Sequence, residues 1–246
     1  MPARIKRLIV LDLDDTLVDT SHVYWAARSR FLDIMKKLGF NRESVLERFE
    51  EIDGDHMIEF GYLPTRYEKS MLVTHREFAK GMTVRHSKEI LSAIRSAGRI
   101  VASRVPKLIP GAKALLYWIR RKGYANLLLT RGEHDLQIKK ITANRIAHYF
   151  DVVKVVRSKT KKEFRDAIRA VGFRPSEAWV VGDSVKSDIN PGLEIGCDCI
   201  RYLYRHKSYI WQQEHGESAI GKHYVVSKLN EIPKVISSPE QHRQVT

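Results

Sequence analysis

The chain has 246 residues, with 43 Lys+Arg against 29 Asp+Glu, a formal net charge of +14 and a hydrophobic fraction of 43%. That length supports one large domain or a domain with a smaller module, and the apolar fraction is too high for a disordered basic tail. No apolar run approaches the roughly 18 residues that cross a bilayer, and the stretch after the basic segment Met1–Arg7 is broken by Asp12, so neither a membrane span nor a signal peptide is expected.

Residues 7–13, Arg-Leu-Ile-Val-Leu-Asp-Leu, form a short run of branched apolar side chains, as in a strand buried on both faces. The next 90 or so residues change character. Tyr24, Phe31, Met35 and Leu38 recur at helical spacing over 21–38, and 42–52, 66–80 and 87–103 also predict helices, with no strand among them. From Pro110 the pattern alternates: a helix over 111–122, then strands at 124–130, 152–156 and 178–182, followed by helices at 133–147, 160–171 and 185–194. Strands alternating with helices predict an α/β, doubly wound parallel-sheet (Rossmann-like) core. A helical block of that length is an inserted module rather than a loop. The expected division is therefore a core of 1–18 and 108–246 and an all-helical insertion of 19–107. In the tail, Trp211 falls in a predicted short helix and Tyr224–Val226 in a last strand.

Ligands of an open parallel sheet bind outside the carboxyl ends of its strands. The first strand ends in Asp12-Leu13-Asp14-Asp15-Thr16, where alternation turns Asp12 and Asp14 the same way. The second ends in Thr130-Arg131-Gly132, the third is followed by Ser158-Lys159-Thr160-Lys161-Lys162, and the fourth ends in Gly182-Asp183-Ser184, with Asp188 five residues past Asp183. Four carboxylates, a hydroxyl and at least one lysine thus gather at one edge. Carboxylates crowded in this way repel unless a lysine and a divalent cation accompany them, and hard oxygen donors favour magnesium. A site of this kind, with one carboxylate free to attack, suits phosphoryl transfer through an aspartyl-phosphate.

The set Asp12-x-Asp14-x-Thr16, Thr130, Lys159 and Gly182-Asp183-Ser184-x-x-x-Asp188 resembles the four motifs of the haloacid dehalogenase-like hydrolase superfamily, and the helical insertion after the first motif resembles its cap domain. The resemblance implies that Asp12 is the nucleophile and that Asp14 protonates the leaving alcohol and then activates water. It implies that Thr130, with Arg131 and Gly132 in the same turn, binds the phosphoryl group, and that Lys159 steadies the nucleophile. Magnesium would be held by Asp12, the Asp14 backbone carbonyl and Asp183, with support from Asp188. Lys161 and Lys162 are alternatives to Lys159, and Arg131 stands where asparagine is frequent, so it either binds phosphate or faces solvent. An acid at the position of Asp14 favours phosphatases over members that cleave carbon–halogen bonds, because a halide leaves unprotonated.

The function expected is a magnesium-dependent phosphatase for a small phosphorylated metabolite, in the cytoplasm, with no membrane partner. Two alternatives are a phosphatase or phosphotransferase acting on nucleotides or polynucleotide ends, and a non-enzymatic binding or scaffold protein on the same fold. The first draws on residues 154–174, which carry eight Lys/Arg against Glu163 and Asp166, but a nucleic-acid partner is less favoured because caps of this kind close over small ligands. Oligomeric state is not legible. The ten histidines form no metalloprotease-like pair. Tyr24, Trp25 and Phe31 are expected to pack within the insertion and Trp118 in the core. Cys197 and Cys199 are placed on opposite faces of a strand as unpaired thiols, consistent with a reducing compartment.

Overall fold

A computed structural model describes residues 7–61, 63, 65–80, 87–203 and 219–237. The chain forms two compact units, one running to Thr20 and resuming at Pro106, the other spanning Ser21–Val105.

The first unit is built on six parallel strands in the order β3-β2-β1-β4-β5-β6. These are β1 (Leu8–Leu11), β2 (Ala125–Arg131), β3 (Val152–Val156), β4 (Ala178–Gly182), β5 (Asp198–Tyr202) and β6 (Tyr224–Val226). The first strand lies in the middle, with Leu11 opposite Leu128 of β2 and Val181 of β4. Because both faces are covered, its side chains alternate between two cores. Ile9 and Leu11 join Leu115, Leu116 and Ile119 of α5 (Ala112–Arg121) on one face. Leu8 and Val10 join Phe164 and Ile168 of α7 (Lys161–Ala170) on the other. The chain builds outward from β1 to β3, then returns to β4 on the other side, so the switch of direction falls beside the carboxyl end of β1.

The second unit holds α1 from Ser21 onward (the helix spans Thr20–Lys37), α2 (Arg42–Phe60), α3 (Arg66–Phe78) and α4 (Lys88–Ser103). Phe31, Met35, Phe49, Tyr67, Met71 and Ile94 form its core, and Tyr24 meets Tyr67 edge-on at 5.1 Å. Trp25 departs from expectation: it is half exposed and stacks on His22, because it lies off the stripe that Phe31 and Met35 define.

Several predicted elements change at their ends. The helix predicted over 42–52 continues to Phe60 with Gly54 buried inside it, and stops at Gly61, whose N–H returns to Met57 O. The one predicted over 133–147 is α6 (His134–Ala143) followed by a 3₁₀ turn, Ala147–Tyr149. The one predicted over 185–194 begins as a π-turn, Val185–Ile189, before α8 (Asn190–Glu194). A last helix, α9, spans Ile232–Ser237. Cys197 and Cys199 are unpaired as expected, but both pack into the same core, since residues two apart on an extended chain share a face. Trp211 lies outside the described residues. Among the described residues no helix is long and apolar enough to cross a membrane.

Candidate active site

Each functional side chain is delivered by a local signal at the carboxyl edge of the sheet. Beyond β1 the Asp12 N–H donates to Val181 O at 3.0 Å, which extends the pairing with β4 by one residue and fixes the aspartate at the sheet edge. Asp15 then takes φ +59, turning the chain so that its N–H reaches Val18 O at 2.7 Å. Asp15 is itself buried.

Lys159 stands just ahead of α7, whose start is set by a capping box between Thr160 and Glu163. It is buried, and its Nζ contacts Asp12 Oδ1 and lies 2.6 Å from Asp188 Oδ1. Lys161 and Lys162 point elsewhere, to Glu194 at 3.2 Å and Asp166 at 2.8 Å. Asp188 comes from the π-turn after β4, and its Oδ2 accepts from the Ser184 N–H at 3.2 Å. Gly182 makes room for it: a Cβ there would lie 2.3 Å from the Asp188 carboxyl carbon. Carboxylate oxygens of Asp12, Asp183 and Asp188 lie within 4.8 Å of one another, all three residues buried.

The electrostatics follow from that crowding. Burial pushes the Asp12 carboxyl up from 3.8 to about 6; Lys159 opposes the rise, and Asp188 and Asp14 add to it. For Lys159, burial works against the charge, yet Asp12 and Asp188 hold its pKa above the ordinary lysine range. Hard oxygen donors, buried at this separation, fit a divalent cation of the magnesium type. A cation there would offset the burial and the neighbouring negative charge that raise the Asp12 pKa.

Asp14 belongs to a different set of contacts. Its Oδ1 receives the Thr20 hydroxyl and, at 2.6 Å, Lys140 Nζ, while its Oδ2 receives Gln137 Nε2 at 2.7 Å. Burial works to raise its pKa, but Lys140, with hydrogen bonds from Thr20 and Gln137, holds it below the usual carboxylate value. Its side chain keeps 28% of its surface exposed, against 8% for Asp12, so Asp14 is the more open of the two carboxylates to an incoming ester. Gln137 also reaches Thr130 Oγ1 at 2.6 Å and Arg131 O at 3.0 Å. Gly132, at φ +151, lets this amide pack against the turn, since a Cβ there would sit 3.2 Å from Gln137 Cδ. Arg131 is half-buried, and its carbonyl accepts from the Gln137 amide.

The edge therefore holds Asp12, Asp183, Asp188 and Lys159 in one cluster and Asp14 and Thr130 in an adjoining one. Gln137, Lys140 and Thr20 carry no motif and escaped the sequence reading. The available signal was position: Gln137 and Lys140 lie one helical turn apart on the first helix after β2, and that helix starts at the ligand-binding edge.

Fold and chemistry point to a hydrolase that works on phosphate esters. Residues 6–196 match the haloacid dehalogenase-like hydrolase family. Glyceraldehyde 3-phosphate phosphatase of Pyrococcus furiosus is 27% identical, covering 95% of this chain and 93% of that protein. Phosphoserine phosphatase of Thermus thermophilus is 30% identical, covering 74% of this chain and 83% of that one. Among solved structures, a haloacid dehalogenase-like family hydrolase from Xanthomonas campestris superposes with a TM-score of 0.77 at 20% identity, over 98% of this chain and 94% of that chain. The chain belongs to the haloacid dehalogenase-like hydrolase family and is a phosphoric monoester hydrolase of its phosphatase branch.

Proposed function

We propose that this phosphatase is magnesium-dependent and hydrolyses a small phosphorylated metabolite through an aspartyl-phosphate on Asp12. The observation that carries the reading is the Lys159 ammonium seated between the Asp12 and Asp188 carboxylates, with Asp183 alongside. Asp12 attacks phosphorus as the ester P–O bond breaks, and Asp14 gives the leaving oxygen its proton. Water then attacks the phosphorus on Asp12, the Asp12–P bond breaks to release phosphate, and a water proton returns to Asp14, which regenerates the Asp12 carboxylate and the Asp14 acid. Thr130 and Lys159 hold the transferring group, and Gly132 keeps the turn beside Thr130 open. Magnesium, held by Asp12, Asp183, Asp188 and the Asp14 carbonyl, would offset charge on the phosphoryl oxygens.

Small-metabolite specificity is supported by the relatives, whose names specify glyceraldehyde 3-phosphate and phosphoserine. We assign residues 19–107 the part of the cap and place the protein in the cytoplasm, where the two unpaired thiols are stable. The test is hydrolysis of p-nitrophenyl phosphate with and without magnesium. Asp12→Asn is expected to lower turnover by at least about 10³-fold, and chelation to remove it. Turnover retained by the asparagine variant would overturn the nucleophile assignment, and turnover retained under chelation the magnesium assignment.

A further inference from the structure

The hydrogen bonds around Asp14 decide which of its oxygens can act. A carboxylate oxygen offers two lone-pair directions. On Oδ1 both are taken, one by the Thr20 hydroxyl and one by Lys140 Nζ at 2.6 Å. On Oδ2 only one is taken, by Gln137 Nε2 at 2.7 Å. The same amide donates to Thr130 Oγ1 at 2.6 Å, which occupies a lone pair of that hydroxyl and leaves its proton to be donated elsewhere. Its two hydrogens serve three acceptors, Arg131 O being the third at 3.0 Å, so the contact to Thr130 is the one an incoming phosphoryl oxygen can share without stranding Gln137.

We propose that Lys140 and Gln137 are positioning residues for phosphoryl transfer. Lys140 pins Asp14 Oδ1, so that Oδ2 is the oxygen that exchanges the proton with the leaving alcohol. Gln137 ties that oxygen to the Thr130 hydroxyl and turns the hydroxyl's proton toward the phosphoryl group. The inference rests on the phosphatase reading above. Asp14 is ionised in the free protein, so the proton on Oδ2 arrives with the monoanionic ester; in the first half-reaction the Asp12–P bond forms, the ester P–O bond breaks and that proton moves to the leaving oxygen. In the second, a water oxygen bonds to phosphorus, the Asp12–P bond breaks and a water proton returns to Oδ2.

The leaving group separates this role from a merely structural one. An alkyl phosphate departs as a poor leaving group and needs the proton; p-nitrophenyl phosphate departs as a stable phenolate and does not. For Lys140→Met, kcat/KM is expected to fall at least about tenfold further on an alkyl phosphate than on the aryl ester, with Lys140→Arg recovering most of that difference. Gln137→Ala is expected to raise KM for both esters by about tenfold, the loss of one oriented hydrogen bond to phosphate. Thermal unfolding checks each variant; if Lys140→Met does not fold, Lys140→Gln, which removes the ammonium and is too short to reach as far, is read in the same way. With Asp12→Asn inactive, equal losses on the two esters or none in Lys140→Met would overturn the role of Lys140, and an unchanged KM in Gln137→Ala that of Gln137, and either result would leave the phosphatase reading intact. A wild-type protein that turns over neither ester would overturn that reading, and this proposal with it.

Discussion

Both units of the molecule bury charge, and they do so in opposite ways. In the helical unit, Arg66 of α3 pairs with Asp53 of α2, and their side chains are 1% and 2% exposed. One carboxylate meets one guanidinium. Ser70 Oγ lies 2.7 Å from Asp53 Oδ1, and Arg66 Nη1 also reaches Asp53 O at 3.2 Å. In the sheet unit, three carboxylates are buried together with one lysine on two of them, and burial, with Asp188 and Asp14 nearby, raises the Asp12 pKa to about 6. The first arrangement closes its own charge and ties two helices together. The second stays unfavourable until something positive arrives. Buried charge by itself therefore says little about function; the imbalance is the functional signal.

The largest effect that tests this contrast is in the helical unit. Removing one member of a buried pair strands the other, at a typical cost of about 3–5 kcal/mol. Arg66→Met is expected to destabilise the protein by that order in chemical denaturation, whereas adding Asp53→Leu to it should recover most of the loss. A double variant as unstable as the single one would mean that the pair contributes more than charge closure, and the contrast with the sheet unit would weaken.

The counterpart in the sheet unit should go the other way. Asp12 has its pKa raised from 3.8 to about 6, so between those values the folded protein keeps a proton that the unfolded chain has released. Stability of the metal-free protein therefore falls as pH rises through that window, and the deficit is complete above about pH 6. Taken alone, the shift sets an upper bound of about 3 kcal/mol. Asp12→Asn removes the ionisable group while Asp188 still pairs with Lys159. In chelator, the variant should unfold a few degrees higher than wild type at pH 8 and at nearly the same temperature at pH 4. Magnesium should then stabilise wild type far more than the variant. A variant that is less stable than wild type at pH 8 would show that the aspartate is not a strained element of the metal-free fold.

The same contrast explains what was legible in the sequence. Strands β3 and β4 were read at their observed bounds, Val152–Val156 and Ala178–Gly182: β4, buried along its whole length, is written as an unbroken apolar run, and β3, a partly exposed edge strand, by the β-branched residues on either side of Lys154. Asp12, Asp14, Thr130, Lys159, Asp183 and Asp188 were legible because strand ends dictate where side chains emerge. Lys159 could not be told from Lys161 and Lys162 by spacing; burial distinguishes them, since Lys159 alone of the three is buried. Gln137 and Lys140 were invisible because they sit mid-helix, where an amide and a lysine look like any solvent-facing pair. The Asp53–Arg66 pair was missed for a related reason: a helix of mixed polarity does not announce which charge turns inward. The end of α2 was misplaced because a glycine inside a helix and a glycine after one read alike.

The smallest effect concerns the basic segment that made the charge of this chain conspicuous. Its exposed members are partly matched, with Lys161 on Glu194, Lys162 on Asp166 and Arg174 on Glu177. Exposed pairs of this kind are screened within a Debye length and do little for stability. What survives is a mild attraction for anions near the edge that holds Lys159. Replacing Lys161 and Lys162 together by Gln should leave kcat unchanged and lower kcat/KM at low salt by less than about threefold, with the difference vanishing as ionic strength rises. A large, salt-resistant loss would place one of these lysines on the substrate. A steep salt dependence of binding to a single-stranded oligonucleotide would instead revive a polynucleotide substrate, because neutralised phosphates add to the slope one by one. With matched pairs at the start of the helix, the shallow dependence is the expected result.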